Sequence, residues 1–311
     1  MKTRIPLLFG ATAMLVLGQA ERRTYVFDHE GRRVPWTASS SSNGNIVENA
    51  VGPGGGTAPL EQVEERVLSD SGGVRKVEKI IRRFAPDGSR LPAERVVTET
   101  AELGGGRQST TATVYRGDVN GNLVVAERMV SQTNPSGAST TAVSTQTERP
   151  TINGSFEVVE KKEARLTATD KTSEKDETSY RPDGNGRWVE RDRLVERTTK
   201  EGEKVVVQKS EYGTAATGQM SLARQVVSTT TPTADGEVTV SDIYAISSPG
   251  RPAEGPLQFA ERQILTKAVR AGGTTESLSV QKAATDGTNR LTEPKRLFET
   301  VCTGKCQPPK P

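Results

Sequence analysis

The chain has few of the residues that most often carry out chemistry. Its 311 residues include one His and two Cys, and aromatic residues make up 4%. His29 lies in FDHEGR, at an expected turn, which is a poor place to hold a catalytic base in register. We therefore expect no catalytic residues, no cofactor and no metal ion, and a protein that is not an enzyme.

Long apolar segments are absent after the first 20 residues. The opening MKTRIPLLFGATAMLVLGQA has a basic start, an apolar run of 14 residues and a small-x-small end. This layout is typical of a cleavable secretory signal, and the run is shorter than the roughly 18 residues that a spanning helix needs. We expect residues 1–20 to be a signal peptide. The mature chain is then extracytoplasmic, either periplasmic or secreted, with no membrane span.

A large net positive charge is also missing from the mature chain. Residues 1–20 carry two of the 42 basic residues and none of the 39 acidic ones, so their removal leaves a net charge of +1. A nucleic-acid binder normally carries a basic field. We expect no nucleic-acid partner.

The two cysteines lie close together, as Cys302 and Cys306 in VCTGKCQPPKP. In an oxidising compartment such a pair most often forms a local disulfide. We expect that bond within a disordered tail over residues 301–311.

A repeat of about 32 residues organises the rest of the chain. One repeated position is aromatic, and a second is an Arg followed by apolar residues, at spacings of 28 to 38. The aromatic markers are Phe84, Tyr115, Tyr180, Tyr212 and Tyr244. The Arg markers, which give eight copies, are Arg66, Arg95, Arg128, Arg165, Arg193, Arg224, Arg262 and Arg296.

Each repeat carries two turns separated by segments rich in Val and Thr. One turn is tight and rich in Gly, Asn and Asp, such as PDGNG at 182–186, and the other is looser, such as ELGGG at 102–106. Such dipeptides favour hairpin turns, and β-branched residues favour strands. One repeat is therefore a β-hairpin, and eight repeats predict an all-β antiparallel meander of about 16 strands.

The domain boundaries follow from this repeat. We expect an N-terminal hairpin over 21–36, a Ser/Gly-rich linker over 37–59 and the repeat domain over 60–300. Twisted open sheets of more than about ten strands usually curl, split or close. The repeat domain is therefore expected to be a shallow barrel, a propeller-like ring or a long twisted sheet.

The segment WVERDRLVER at 188–197 shows which side chains share a face of the sheet. Strict alternation places Trp188, Glu190 and Asp192 on one face and Val189, Arg191 and Arg193 on the other. Neither face is apolar along its length, whereas a membrane barrel needs an apolar band about 25 Å tall. This pattern argues against an outer-membrane barrel and favours cross-strand ion pairs on a wet sheet.

Three candidate binding sites remain, and each has a structural explanation. The acids Glu65, Glu94, Glu127 and Glu261 recur at one repeat position, which favours a scaffold role over a catalytic pair. Asp118 and Asn120 suggest calcium, but both are common turn formers. Trp188 is a possible sugar-stacking residue or an aromatic at the usual repeat position.

The sequence thus favours a non-catalytic exported β-repeat protein. We expect it to be a cell-envelope or extracellular scaffold or binding surface, with a polysaccharide or an envelope protein as possible partner. The alternative is a secreted carbohydrate-binding or carbohydrate-active protein with a propeller-like ring.

Overall fold

The computed structural model describes residues 20–42, 45–52, 54–118, 120–214, 218–246, 256–270, 272–283 and 290–304. These residues form 18 antiparallel strands in a single sheet that follows the chain order. The strands are β1 (Ala20–Phe27), β2 (Arg33–Ser42), β3 (Asn45–Val51), β4 (Thr57–Ser71), β5 (Val74–Arg83), β6 (Glu94–Gly104), β7 (Arg107–Gly117), β8 (Leu123–Pro135), β9 (Thr140–Pro150), β10 (Phe156–Ala168), β11 (Thr172–Pro182), β12 (Trp188–Glu201), β13 (Lys204–Thr214), β14 (Met220–Thr233), β15 (Gly236–Ile246), β16 (Leu257–Arg270), β17 (Gly273–Lys282) and β18 (Lys295–Gly304).

The sheet closes into a barrel through its first and last strands. β1 pairs with β2 on one side and with β18 on the other, from Ala20 opposite Gly304 to Val26 opposite Phe298. The predicted all-β antiparallel meander is confirmed, as a closed barrel. Three strands, β1 to β3, end before the expected repeat domain begins at residue 60, and the other fifteen form that domain.

The stretch expected to be a linker, residues 37–59, contributes strands to the wall. It contains the end of β2, all of β3 and the first residues of β4. Ser39 lies opposite Glu48, and Val47 lies opposite Gln62. Ser and Gly have low strand propensity, but two partner strands satisfy their backbone groups and override it.

The two ends of the barrel differ in their connections. At one end, hereafter the short-turn end, the hairpin loops span two to four residues. At the other, the long-turn end, they span five to twelve. Ala20 and Gly304 both lie at the short-turn end.

The barrel is hollow. Close backbone contacts among the described strands are concentrated between ladder neighbours. Eighteen strands at about 4.8 Å spacing give a perimeter of about 86 Å, and so a backbone cylinder about 27 Å across before strand tilt widens it. The eight buried apolar residues lie far apart along the chain, from Val63 to Cys302. The wall is thus a single layer around a wide lumen.

The described residues include no helix long and apolar enough to cross a membrane.

Candidate functional site

The two faces of the wall can be traced strand by strand, because directly paired residues point to the same side. Buried side chains fall mainly on one of these faces, as with Val63, Val114, Ser131 and Thr145. Side chains on the concave side of a curved sheet are the more crowded. A recess of about 790 Å³ also opens on this face, lined by side chains that include Ala164. This face is the lumen.

A β-bulge interrupts eight of the nine even-numbered strands near the long-turn end, all except β6. In β8, Glu127 lies opposite Val114 and Val125 lies opposite Tyr115, so Ala126 is the extra residue. The same step occurs at eight places. The extra residues are Trp36, Leu60, Ala126, Val159, Arg191, Ala223, Ala260 and Leu297.

The bulge corrects the face pattern expected for β12. Because Arg191 is the extra residue, Trp188 and Glu190 share the outer face with Arg193, whereas Val189 and Asp192 face the lumen. An inserted residue reverses the alternation on one side of it. The cross-strand ion pairs do form on the outer face, for example between Arg193 Nη2 and Asp176 Oδ2 at 2.6 Å.

The aromatic repeat position lies directly opposite the bulge. Tyr115, Tyr180, Tyr212 and Tyr244 each pair across the ladder with the residue just before the extra one. Tyr25, which sequence reasoning did not single out, holds the same place in β1. Phe84 lies beyond the end of β5, in an isolated bridge with Arg90.

The eight Arg markers lie at several depths. Four of them share one outward ring, namely Arg95, Arg128, Arg193 and Arg262. Each of the last three lies two positions after the extra residue of a bulge. The other four are spread along the wall. Arg66 and Arg165 face outward closer to the short-turn end, Arg224 faces the lumen, and Arg296 precedes the bulge of β18.

Four ion pairs on β4 to β11 form a partial ring in the lumen, hereafter the lumen ring. Its four acids are spaced 33 residues apart, and its four Arg residues 32 or 33 apart. Sequence reasoning noticed two of the acids, Glu94 and Glu127, but missed the partners, although their equal spacing is visible in the sequence. The pairs are Arg83 with Glu61 at 3.0 Å, Arg116 with Glu94 at 3.1 Å, Arg149 with Glu127 at 3.4 Å and Arg181 with Glu160 at 3.0 Å.

Below this ring the lumen wall carries hydroxyl groups and further mixed charges. The Thr145 hydroxyl donates to Ser131 Oγ at 3.1 Å, and the hydroxyls of Ser228 and Ser241 lie 2.7 Å apart. Lys175 Nζ lies 2.8 Å from Glu177 Oε2. The lumen is therefore wettable along its length, with charges of both signs that largely cancel.

The outer wall also carries paired charges. Glu78 is 2% exposed, and its carboxylate accepts hydrogen bonds from Arg95 Nε at 2.7 Å and from Arg66 Nε. Arg128 pairs in the same way with Glu148 on the next strand. This part of the wall is built for polar surroundings.

The turns at the long-turn end are fixed by Asp side chains. Asp118 Oδ1 accepts the backbone N–H groups of Asn120 and Asn122, both at 2.8 Å, and Gly121 adopts a φ of 82°. These backbone hydrogen bonds, that of Asn122 first, hold the pKa of the Asp118 carboxyl below its ordinary value. The oxygens considered for calcium are thus engaged by the turn itself.

Trp188 and the cysteine pair complete the predicted sites. Trp188 is 37% exposed on the outer face, and Lys161 Nζ lies 4.2 Å from the centre of its ring. Cys302 is buried in β18. Cys306 lies outside the described residues, as do residues 1–19 of the expected signal peptide 1–20, whose last residue, Ala20, begins β1. The Cys302–Cys306 disulfide and the signal peptide therefore stay predictions.

The sequence matches no protein-family model and no curated protein. The barrel does resemble solved structures. A mutant of the Rh. blastica porin superposes with a TM-score of 0.52 at 10% identity, covering 92% of this chain and 98% of that one. OccAB4 of Acinetobacter baumannii gives a TM-score of 0.47 at 8% identity, covering 93% of this chain and 97% of that one. The chain shares the porin fold.

This fold overturns the functional hypothesis drawn from the sequence. We expected an exported scaffold or binding surface, or a secreted carbohydrate-binding or carbohydrate-active protein with a propeller-like ring. The strands instead close around a hollow polar lumen, in the architecture of a porin. The physical reason for the error is that the hairpin repeat left a barrel, a ring and an open sheet as alternatives, because closure depends on one pairing between distant strands.

Proposed function

We propose that this chain forms an aqueous conduit of the cell envelope, in which small hydrophilic solutes move along the barrel lumen. The observation that carries the proposal is the closed 18-strand ladder around a hydroxyl-rich, ion-paired lumen. Barrels of 16 to 18 strands are wide enough to leave a water-filled channel. Such a conduit needs no reactive group.

The lumen charges favour a conduit with little preference for the sign of a solute. Each Glu of the lumen ring has an Arg within 3.4 Å, so their fields nearly cancel at the axis. Strong selection requires an excess of one sign in a narrow passage. We expect passage to depend mainly on solute size.

Two further features support a place in the envelope. The first 20 residues have the layout of an export signal. The fold resembles that of a structure described as a porin. From this likeness we infer that the lumen of this chain is a passage for solutes.

The experiment that tests the conduit is size-graded labelling of a lumen cysteine. In Ala164→Cys the thiol lies in the lumen recess, and in Thr113→Cys it lies on the outer wall. We expect small hydrophilic maleimides to modify both variants at similar rates. Polymer-linked maleimides wider than the lumen are expected to modify Thr113→Cys alone.

The parent chain, labelled in parallel, corrects for Cys302 and Cys306. If the smallest reagent modifies Thr113→Cys but leaves Ala164→Cys intact in a folded barrel, the lumen is closed to solutes and the proposal fails. Equal modification of both variants by every polymer size would also contradict a size-limited passage.

A further inference from the structure

The outer wall is apolar in one place, a band at the long-turn end. Two rows of outward side chains form it on β8, β10, β12, β14 and β16, both on the long-turn side of the bulges. The outer row is Leu123, Phe156, Trp188, Met220 and Leu257. The inner row is Val125, Val158, Leu222 and Phe259, with the charged Glu190 at the corresponding place on β12, and it is joined by Tyr115, Tyr180, Tyr212 and Tyr244. We call this set the aromatic band.

The aromatic residues of the described strands are confined to this end of the barrel. Both Trp residues of the chain, Trp36 and Trp188, belong to it. The ring of Tyr244 meets that of Phe259 edge-on at 5.7 Å. The outward ring below the bulges carries charged side chains instead, including Arg95, whose guanidinium reaches up to the Tyr115 ring at 5.0 Å.

Large exposed apolar side chains concentrate at the same end. Among the described residues nine lie there, including the fully exposed Ile152 at a turn tip, against four toward the short-turn end. The nine are Trp36, Leu60, Leu91, Leu123, Val124, Ile152, Phe156, Trp188 and Leu297. Val124 faces the lumen, and the number of the others marks a contact surface, since single exposed apolar residues alone need no explanation.

The height of the band decides what can cover it. Two outward rows are about 6.8 Å apart along a strand, and the tilt of the strands reduces this to about 5 Å of height. With the turn tips included, the band is about 10 Å tall. A barrel that spans a bilayer needs about 25 Å with an aromatic girdle at both ends. A band of about 10 Å fits the depth to which interfacial proteins enter the headgroup region.

Cations without an acidic partner flank the band around Trp188. Lys161 lies over the indole ring, Arg187 precedes Trp188 in the chain, and Arg191 is the bulge residue of the same strand. Within the described part of the chain, no ion pair includes these three side chains. Amphipathic rings next to basic side chains are suited to anionic lipid headgroups.

We infer that the aromatic band seats the long-turn end of the barrel in the interface of an anionic phospholipid bilayer, while the ion-paired wall below it stays in water. This inference names the partner of the proposed conduit and rests on that function. The lumen then opens at the membrane surface, and the barrel does not cross the bilayer.

The test is flotation of the purified mature chain with vesicles of phosphatidylcholine and phosphatidylglycerol that enclose a small dye. We expect the protein to float with these vesicles, more weakly with pure phosphatidylcholine, and to release no dye. The triple variant Leu123→Ser, Ile152→Ser, Trp188→Ser should bind on the order of a hundredfold more weakly, because each residue loses interfacial burial.

The matched control is the triple variant Val67→Ser, Leu103→Ser, Val269→Ser. These residues are similarly exposed but lie toward the short-turn end, with Val67 and Val269 on the lumen face. We expect less than a threefold change in their vesicle binding. Quenching of the intrinsic Trp fluorescence by brominated lipid gives a second readout on the unmutated chain, since both Trp residues lie at the long-turn end.

Three results would overturn the inference. They are absence of parent binding, equal loss of binding in both triple variants, and dye release, which would place the barrel across the bilayer. Failure of the conduit itself is seen separately, as an unreactive Ala164→Cys in the labelling experiment.

Discussion

Glu78 lies on the outer face of the barrel, yet it is almost completely covered by the two Arg side chains that it binds. Its Oε1 accepts from Arg95 Nε at 2.7 Å, and Arg66 closes over the other oxygen. Arg66 and Arg95 come from the two strands that flank β5. One carboxylate thus ties three neighbouring strands together.

We expect Glu78→Gln to lower the free energy of unfolding by about 1–3 kcal/mol, because the charge is lost and one of the two guanidinium groups then faces an NH2 donor in place of an oxygen acceptor. The cost stays moderate since both Arg side chains keep contact with water. The denaturant midpoint of the purified chain measures it. The control is Glu174→Gln, because Glu174 forms an exposed ion pair with Arg197. We expect this variant to lose less than about 1 kcal/mol of unfolding free energy. Equal losses would show that the burial of Glu78 adds nothing.

Gly273 begins β17 where two backbones approach each other closely. A Cβ built on Gly273 would lie 2.0 Å from the carbonyl oxygen of Cys302. Gly273→Ala should therefore cost about 1–3 kcal/mol through a backbone shift. Gly213→Ala is the control, since its Cβ would meet no heavy atom within 4 Å. Thermal or chemical denaturation of the two variants compares them, and a neutral Gly273→Ala would mean that this strand end shifts freely.

The β7–β8 turn should respond to pH through Asp118. Its folded pKa is lowered by the hydrogen bonds from the Asn122 and Asn120 backbone, so the ionised carboxylate stabilises the turn. That stabilisation is complete above the ordinary pKa of an Asp and is lost as the pH falls through the lowered folded value. The amide resonance of Asn122, followed through an acid titration, should report the loss.

Asp118→Asn provides the matched control for this titration. Its amide oxygen can accept the same two N–H groups, but it does not titrate. We expect the Asn122 resonance to keep its position in acid in this variant. An unchanged acid titration would assign the effect to another group.

Deletion of Ala126 tests the role of the bulge. Without the extra residue, strict alternation would turn Leu123 and Val125 from the outer face into the lumen. We expect a loss of at least about 2 kcal/mol and a marked drop in vesicle binding. Ala126→Ser keeps the residue count and should change stability by less than about 0.5 kcal/mol. A deletion variant with parental stability and binding would show that the wall tolerates either register.

Local features of the fold could be predicted from the sequence, because they depend on neighbouring residues. The PDGNG segment at 182–186 is recognised as a turn from its residues, and in the structure Asp183 stabilises this turn by accepting the backbone N–H groups of Asn185 and Arg187. Tyr115, Tyr180, Tyr212 and Tyr244 recur in the sequence, and in the structure each of them lies opposite a bulge. The segments rich in Val and Thr predict that the residues between the turns are β-strands.

The faces of the strands could not be predicted, because the bulge has no residue signature. Ala126, Arg191 and Trp36 occupy equivalent places and share no chemistry. One missed insertion moved Trp188 to the wrong side of β12. The acids and the Arg residues of the lumen ring both recur in the sequence, but only the cross-strand register shows that Arg116 and Arg149 are the partners of Glu94 and Glu127.

Because β1 pairs with β18 to form a seam, the closed barrel does not depend on which hairpin comes first in the chain. Ala20 lies directly opposite Gly304, and the ladder there has the same antiparallel geometry as at every other strand pair. A chain that joined these ends through a short linker and began instead at the two-residue turn before Gly236 would enclose the same volume. Its slowest folding step should move with the new seam, because the last pairing to form is the one that bridges the longest loop.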